Sequence, residues 1–432
     1  MKKTLVAALA SAALLASSAF ADITFGTDLN IMSVPAASDG EDYFSGSVMS
    51  WDTGDETIRD LALYFSAVAG DGFAGFEGSL YFYAFSQNYF EFDYNYIWVK
   101  PLEVLKVSVG DFDNNTLRGD LCYGSWNWLR ASNWIQDDEG LTFSGEGRAG
   151  VMLEITPFYD ESLYIQLFLN YSSYGISEGG DDNIKNTTDA DGETNGNLDE
   201  TYLSSTLAVG YTIEDIGTIK VGYFGDYDNW VTNEYNSDDS YDEYKHYGNI
   251  EVAFDLTMVE NLFLSVGFQY TLADAEYWVG ETSDSSTALD IRQLHNMKIA
   301  LGASYQLGEM LGLYNPLTIY ASGAFFMYDI KDVDVDPTFQ FGVGVDFGVT
   351  EKITLVADVR YVGETSIENY DPEYTDDALS FMIGATYACG SNGLVGVAFQ
   401  GATNGNGFVE HAELCNEDKF AWAIPIRVHV WF

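Results

Sequence analysis

Cysteine, histidine and positive charge are what this 432-residue sequence is short of. Three cysteines cannot build a disulfide framework for a chain of this length. Four histidines, His246, His295, His411 and His429, stand without a recognisable nucleophile motif around any of them, so an enzyme is not expected. Lys and Arg number 18 against 67 Asp and Glu, a formal charge of −49. That imbalance excludes nucleic acid as a partner, because phosphate binding needs basic patches. No stretch after residue 21 approaches the length of a membrane helix.

What the chain has is aromatic: 30 Tyr, 28 Phe and 9 Trp, with 42 Gly. High charge with few aromatics would read as disorder; high charge with many does not. The first 21 residues, MKKTLVAALASAALLASSAFA, combine a Lys2-Lys3 start, a short apolar run and an Ala19-Phe20-Ala21 cleavage site. This is an export signal, with the mature chain beginning at Asp22.

From there one pattern repeats. In TFQFGVGVDFGVT, Phe339, Phe341, Val343, Val345, Phe347 and Val349 alternate with Gln340, Gly342, Gly344, Asp346 and Gly348. ITLVADVRY, KIALGASYQL and NIEVAFDLT alternate in the same way, and period two puts successive side chains on opposite faces of a sheet. Eighteen such segments are expected, near 23–34, 58–69, 73–86, 90–99, 103–112, 148–158, 163–174, 200–213, 218–229, 247–258, 262–273, 293–306, 317–330, 338–349, 353–364, 378–389, 394–403 and 419–432; 16 is the alternative count. Tight turns such as KPLE, YDES, EDIG and GSNG alternate with long acidic connections, with two breaks: QNY (87–89) is short where a long loop is due, and GEMLGLYNP (308–316) is long where a short one is due.

These features point to an all-β fold: one transmembrane antiparallel β-barrel over 22–432, with short periplasmic turns and long outer loops, apolar residues toward lipid and polar residues toward the lumen. Tyr94, Tyr96, Trp98, Tyr171, Tyr223, Tyr270, Tyr361 and Tyr387 fall near segment ends, where interfacial aromatic girdles are expected. A soluble sandwich would need several domains, and no linker divides the chain. Sixteen to eighteen strands leave a water-filled channel.

The last residues, AIPIRVHVWF, place Ile424, Ile426, Val428, Val430 and Phe432 on one face and Pro425, Arg427, His429 and Trp431 on the other. The run resembles the C-terminal recognition strand of bacterial outer-membrane proteins, with Phe432 as the assembly signal. The chain as a whole is similar to porins, general or sugar-type. That resemblance implies an outer-membrane location, lipid and the barrel assembly machinery as partners, a homotrimer, and a diffusion channel for small hydrophilic solutes. A saccharide-selective porin and a surface adhesin without an open pore are the alternatives.

The longest connection, 113–147, is third on the outside. In trimeric porins that loop folds into the barrel and narrows the pore. By that positional likeness Asp113, Arg118, Asp120, Arg130, Asp137, Asp138 and Glu139 would line a constriction. Lys106, Arg148, Lys298, Arg360 and Arg427 would face them from the wall, as charge rings do in selective pores. Trp126, Trp128 and Trp134 offer rings for sugar stacking, which inward-facing Phe168, Phe224, Tyr320, Phe326 and Tyr328 would extend; packing of the loop against the wall is the plainer reading.

The acidic outer connections would concentrate cations. SEGGDDNIKNTTDADGETNGNLDE carries eight acids and one lysine. Within it Asp189, Asp191, Glu193 and Glu200 take EF-hand-like positions, but Thr194 stands where the turn needs Gly and no helices flank it. A loosely bound Ca²⁺ or Mg²⁺ is the most this supports; no other cofactor is expected. RGD at 118–120 carries little information, and Cys122 and Cys415 both fall in outer loops where a disulfide could join them.

Overall fold

A computed structural model of the chain describes residues 20–38, 40, 43–44, 47–49, 61–70, 72–83, 89–112, 129, 149–170, 205–225, 228–232, 242–276, 296–307, 316–328, 336–363, 377–403 and 420–432. They form one 21-stranded sheet. Three of its strands are short spurs, Tyr43–Phe44, Ser47–Met49 and Asp228–Thr232. The other 18 make the wall: β1 (Phe20–Ser38), β2 (Leu61–Ala69), β3 (Ala74–Tyr83), β4 (Tyr89–Leu102), β5 (Leu105–Asp111), β6 (Ala149–Ile155), β7 (Leu163–Asn170), β8 (Thr206–Ile213), β9 (Gly217–Phe224), β10 (Asp242–Leu256), β11 (Leu262–Glu276), β12 (Met297–Gln306), β13 (Leu317–Met327), β14 (Thr338–Gly348), β15 (Ile353–Val362), β16 (Ala378–Ala388), β17 (Gly393–Thr403) and β18 (Phe420–Trp431). Each pairs antiparallel with the next, and β18 pairs with β1 from Asp28↔Trp431 to Ser38↔Trp422. The sheet therefore closes, and among the described residues each of the 18 wall strands has a neighbour on both sides. Phe432 completes the seam: its amide donates to the Thr27 carbonyl at 2.9 Å and its own carbonyl accepts from Thr27 at 2.9 Å.

The alternation decides which way the wall faces. Phe339, Phe341 and Val343 on β14, Leu355 and Val359 on β15, and Ile299 and Leu301 on β12 are large, apolar and exposed on the outside. Gln340, Asp358, Arg360 and Lys298, on the opposite faces of the same strands, are buried inside. Apolar outside and polar inside is the arrangement of a membrane-spanning barrel. Outward rings gather toward the end with the long connections: Phe339, Phe341 and Tyr361 stack within 6.3 Å of one another, and Phe381 lies 6.0 Å from Phe399 and 6.1 Å from Phe420.

Tight turns join the strands at the other end. They are tight because residues that tolerate positive φ sit where the turn needs it: Asp215 (φ 60), Asn261 (φ 62) and Gly72 (φ 70). In 158–162 the Ser162 amide donates to Asp160 Oδ1 at 3.1 Å, which holds the Asp160 carboxyl below its usual range. The two breaks in the length alternation are real, since only residues 84–88 join β3 to β4 at the long-connection end and 307–316 join β12 to β13 at the tight end; neither changes the direction of a strand.

One girdle expectation fails. Trp98 on β4 faces inward with Tyr96 and Tyr94, while Ile97 faces lipid. The aromatics of this strand occupy alternate positions, which fits either face. What selects the lumen is an acid on the neighbouring strand: Glu77 accepts from Tyr96 Oη at 2.7 Å and from Trp98 Nε1 at 3.1 Å.

Candidate pore interior

Closure makes the inward residues of all 18 strands one surface. Its charges fall at two levels, set by distance along each strand from the tight-turn end. The lower level, within a few residues of that end, is wet. Lys106 near the start of β5 pairs with Glu154 near the end of β6 at 2.9 Å, with side chains 22% and 13% exposed. Lys220 and Asp255 pair at 2.6 Å, and Ser265 also donates to Asp255. His429 Nε2 meets Asp28 Oδ2 at 2.8 Å across the seam. Tyr164 donates to Glu154 at 2.9 Å and Tyr320 to Asp346 at 3.3 Å. Every acid named at this level has a donor, which charges in a low-dielectric wall require.

The upper level is covered. Glu251 is 2% exposed, Lys298 5% and Arg360 0%, although all point into the lumen of a wide barrel. The register sets Glu251, Gln269 and Lys298 side by side on β10, β11 and β12. Lys298 also lies over the Phe326 ring at 5.4 Å. Gln340, Ser380 and Gln400 are buried at corresponding depths.

Between β5 and β6 the longest connection contributes one described residue, Leu129. It is fully buried, in a cluster with Val356 of β15, Met382 of β16 and Ala398 of β17, with Tyr320 of β13 packed against them. All four are inward-facing. In a ring of 18 strands the β5–β6 junction stands opposite the β14–β15 junction. Leu129 therefore lies against the far wall of the lumen, away from the two strands that its connection joins.

Of the wall cations expected from sequence, Lys106, Lys298, Arg360 and Arg427 are inward as expected. They do not make one row: Lys106 is at the lower level, Lys298 and Arg360 at the upper, and Arg427 between, because each sits at a different distance from the turn end of its strand. Arg148 lies outside the described residues, as do Asp113, Arg118, Asp120, Arg130, Asp137, Asp138 and Glu139. So do Trp126, Trp128 and Trp134, the set Asp189, Asp191, Glu193 and Glu200, and Cys122 and Cys415. Cys389 is exposed and free.

Trp126, Trp128 and Trp134 lie outside the described residues, and the inward rings offered as an extension of a sugar track do not line up among the described residues. Phe168 packs with Phe112, Met152 and Tyr96; Phe224 packs with alanines of β8, β10 and β12; Tyr320 joins the Leu129 cluster. These three rings belong to separate clusters, Phe168 and Phe224 buried and Tyr320 partly so. Sequence reading missed Glu77, Glu154, Asp28 and Leu129. The acids stood on strands already assigned, one inward position from each tight turn or a few beyond, and that placement was the available signal.

No protein-family model and no curated protein matches the sequence. Solved structures do match in shape. The outer membrane channel DcaP of Acinetobacter baumannii superposes with a TM-score of 0.51 at 9% identity, covering 95% of this chain and 97% of its own. The fold is a closed, porin-like β-barrel. The anion-selective porin from Comamonas acidovorans (TM-score 0.47, 12% identity, 95% and 99% covered) and OmpT of Vibrio cholerae (0.45, 12%, 95% and 97%) also align, too loosely for any argument to rest on them. At such identities the likeness concerns the fold alone, and the chemistry of this porin-like barrel has to be read from its own wall.

Proposed function

We propose that the chain is an outer-membrane diffusion channel for small hydrophilic solutes, exported through a signal cleaved after Ala21, with the tight turns in the periplasm. It is not an enzyme in this reading. The observation that carries it is Leu129 on the far wall of a closed barrel with a wet, charged lower lumen. A segment crossing the lumen divides a wide pore into a narrow one. Leu129 fastens that segment to an apolar spot in an otherwise polar wall, so 113–147 is the constriction.

The preference is for cations. The lower-level acids are paired on the wall, so the field that sorts ions comes from the acidic outer connections within a total of −49. Ring charges and charged mouths select ions in this way.

Single-channel recording of the refolded mature protein in a KCl gradient tests the proposal. Stepwise conductance with a cation-selective reversal potential is the expected result. Leu129→Asp places a charge in the apolar cluster and releases the crossing segment; conductance should rise about twofold or more, since burying an unpaired carboxylate costs several kcal/mol. A folded barrel that never conducts, in wild type and in Leu129→Asp alike, rules the channel out and favours a surface barrel without a pore.

A further inference from the structure

Near the tight-turn end, β3 to β7 bring together a set of groups that the diffusion channel does not call for. Lys106 Nζ lies 5.7 Å from the centroid of Tyr96 and 5.7 Å from that of Trp98. The same ammonium is 2.9 Å from Glu154, whose other oxygen accepts from Tyr164. This is an ion pair by distance; Glu154 Oε2 has no aligned hydrogen bond. Glu77 takes both polar tips of the rings, Tyr96 Oη and Trp98 Nε1, so the rings are held by their edges and turn their faces to the cation. Lys100, two residues beyond Trp98, lies 5.5 Å from the same indole.

Trp98 cannot retreat into the wall. It lies flat on β3 where Gly75 leaves room, and a Cβ on Gly75 would stand 2.3 Å from the ring. Two aromatic faces within about 6 Å of a cation, backed by a carboxylate, are the parts of an ammonium-binding cage. Here the occupant is tethered: it is the chain's own lysine.

We propose that this cage is a binding site for organic ammonium solutes in the inner vestibule, and that Lys106 is its displaceable occupant. A solute carrying a primary or quaternary ammonium, arriving at the tight-turn end, exchanges with Lys106 and takes the faces of Tyr96 and Trp98 with Glu154 as counter-ion. Lys106 is partly exposed and can swing into the lumen when displaced. The site deepens the reading of a cation-preferring channel, on which it rests only for access to the vestibule.

The test is calorimetric titration of the refolded full-length barrel in detergent with tetramethylammonium chloride, against sodium chloride as reference, so that it does not depend on conductance. Lys106→Ala clears the position shared by the Tyr96 and Trp98 faces and leaves Lys100 at the indole alone. It should bind tetramethylammonium about fivefold or more tightly than wild type, the scale of one exposed to half-buried cation–π contact. Adding Trp98→Leu, or Glu154→Gln in case the leucine variant fails to fold, should weaken that binding about tenfold. If Lys106→Ala binds no better than wild type, or if its binding survives both second changes, the site does not exist. Binding by a barrel that is silent in bilayers would keep the site and remove the channel; a conducting barrel without binding would do the reverse.

Discussion

The two levels of the lumen hold the same kinds of residue and treat them differently. At the lower level Lys106–Glu154 and Lys220–Asp255 meet at contact distance with water still reaching them. At the upper level Glu251 and Lys298 are sealed, with Gln269 between them in the register. An ion pair in water contributes little, because screening and side-chain entropy offset the attraction. A sealed charge depends on whatever is buried with it, because water cannot replace a lost partner. The lower pairs thus stay within reach of water, while the upper charges are sealed in the wall.

This contrast can be broken by substitution. Lys298→Met removes a buried ammonium that lies over the Phe326 ring and should cost about 2 kcal/mol or more in denaturant unfolding, the scale of a desolvated cation–π contact. Gly75→Ala drives a methyl against Trp98 and should cost about 1–3 kcal/mol, as overpacking does, while disturbing the lower level alone. Lys220→Met should cost no more than about 1 kcal/mol, because Ser265 still donates to Asp255 and solvent reaches the pair. It should leave the KCl reversal potential where it was. Equal losses for Lys298→Met and Lys220→Met would erase the distinction between the levels.

Most of the wall was legible in the residues. Alternation marks a strand wherever one face meets lipid, so TFQFGVGVDFGVT and ITLVADVRY gave β14 and β15 almost to the residue. Closure followed from the terminal strand, whose apolar face runs to Phe432. The interior was less legible, for a physical reason. Period two says that Lys106 and Glu154 point inward, but the connection of 113–147 hides the register that sets them side by side. Tyr96 and Trp98 looked like girdle residues because an aromatic on a strand suits lipid and lumen equally; Glu77, 19 and 21 positions away, decides the matter. Leu129 was one apolar residue among tryptophans, and its partners lie on strands more than 190 residues later.

The seam has a consequence for how the molecule comes to exist. His429 and Asp28, joined at 2.8 Å, are 401 positions apart, and the ladder around them ties the first strand to the last. Every other pair of wall strands can zip from a connection it shares; this pair has none. Its loop is the whole protein, and loop-closure entropy and contact order both make such a contact slow to form. Until it forms, β1 and β18 each present a full edge of unpaired backbone in a medium that cannot hydrate it. A chain caught at that stage is a half-open sheet whose two free edges fit each other and equally fit those of another nascent copy, so this one closing step is where assembly competes with aggregation.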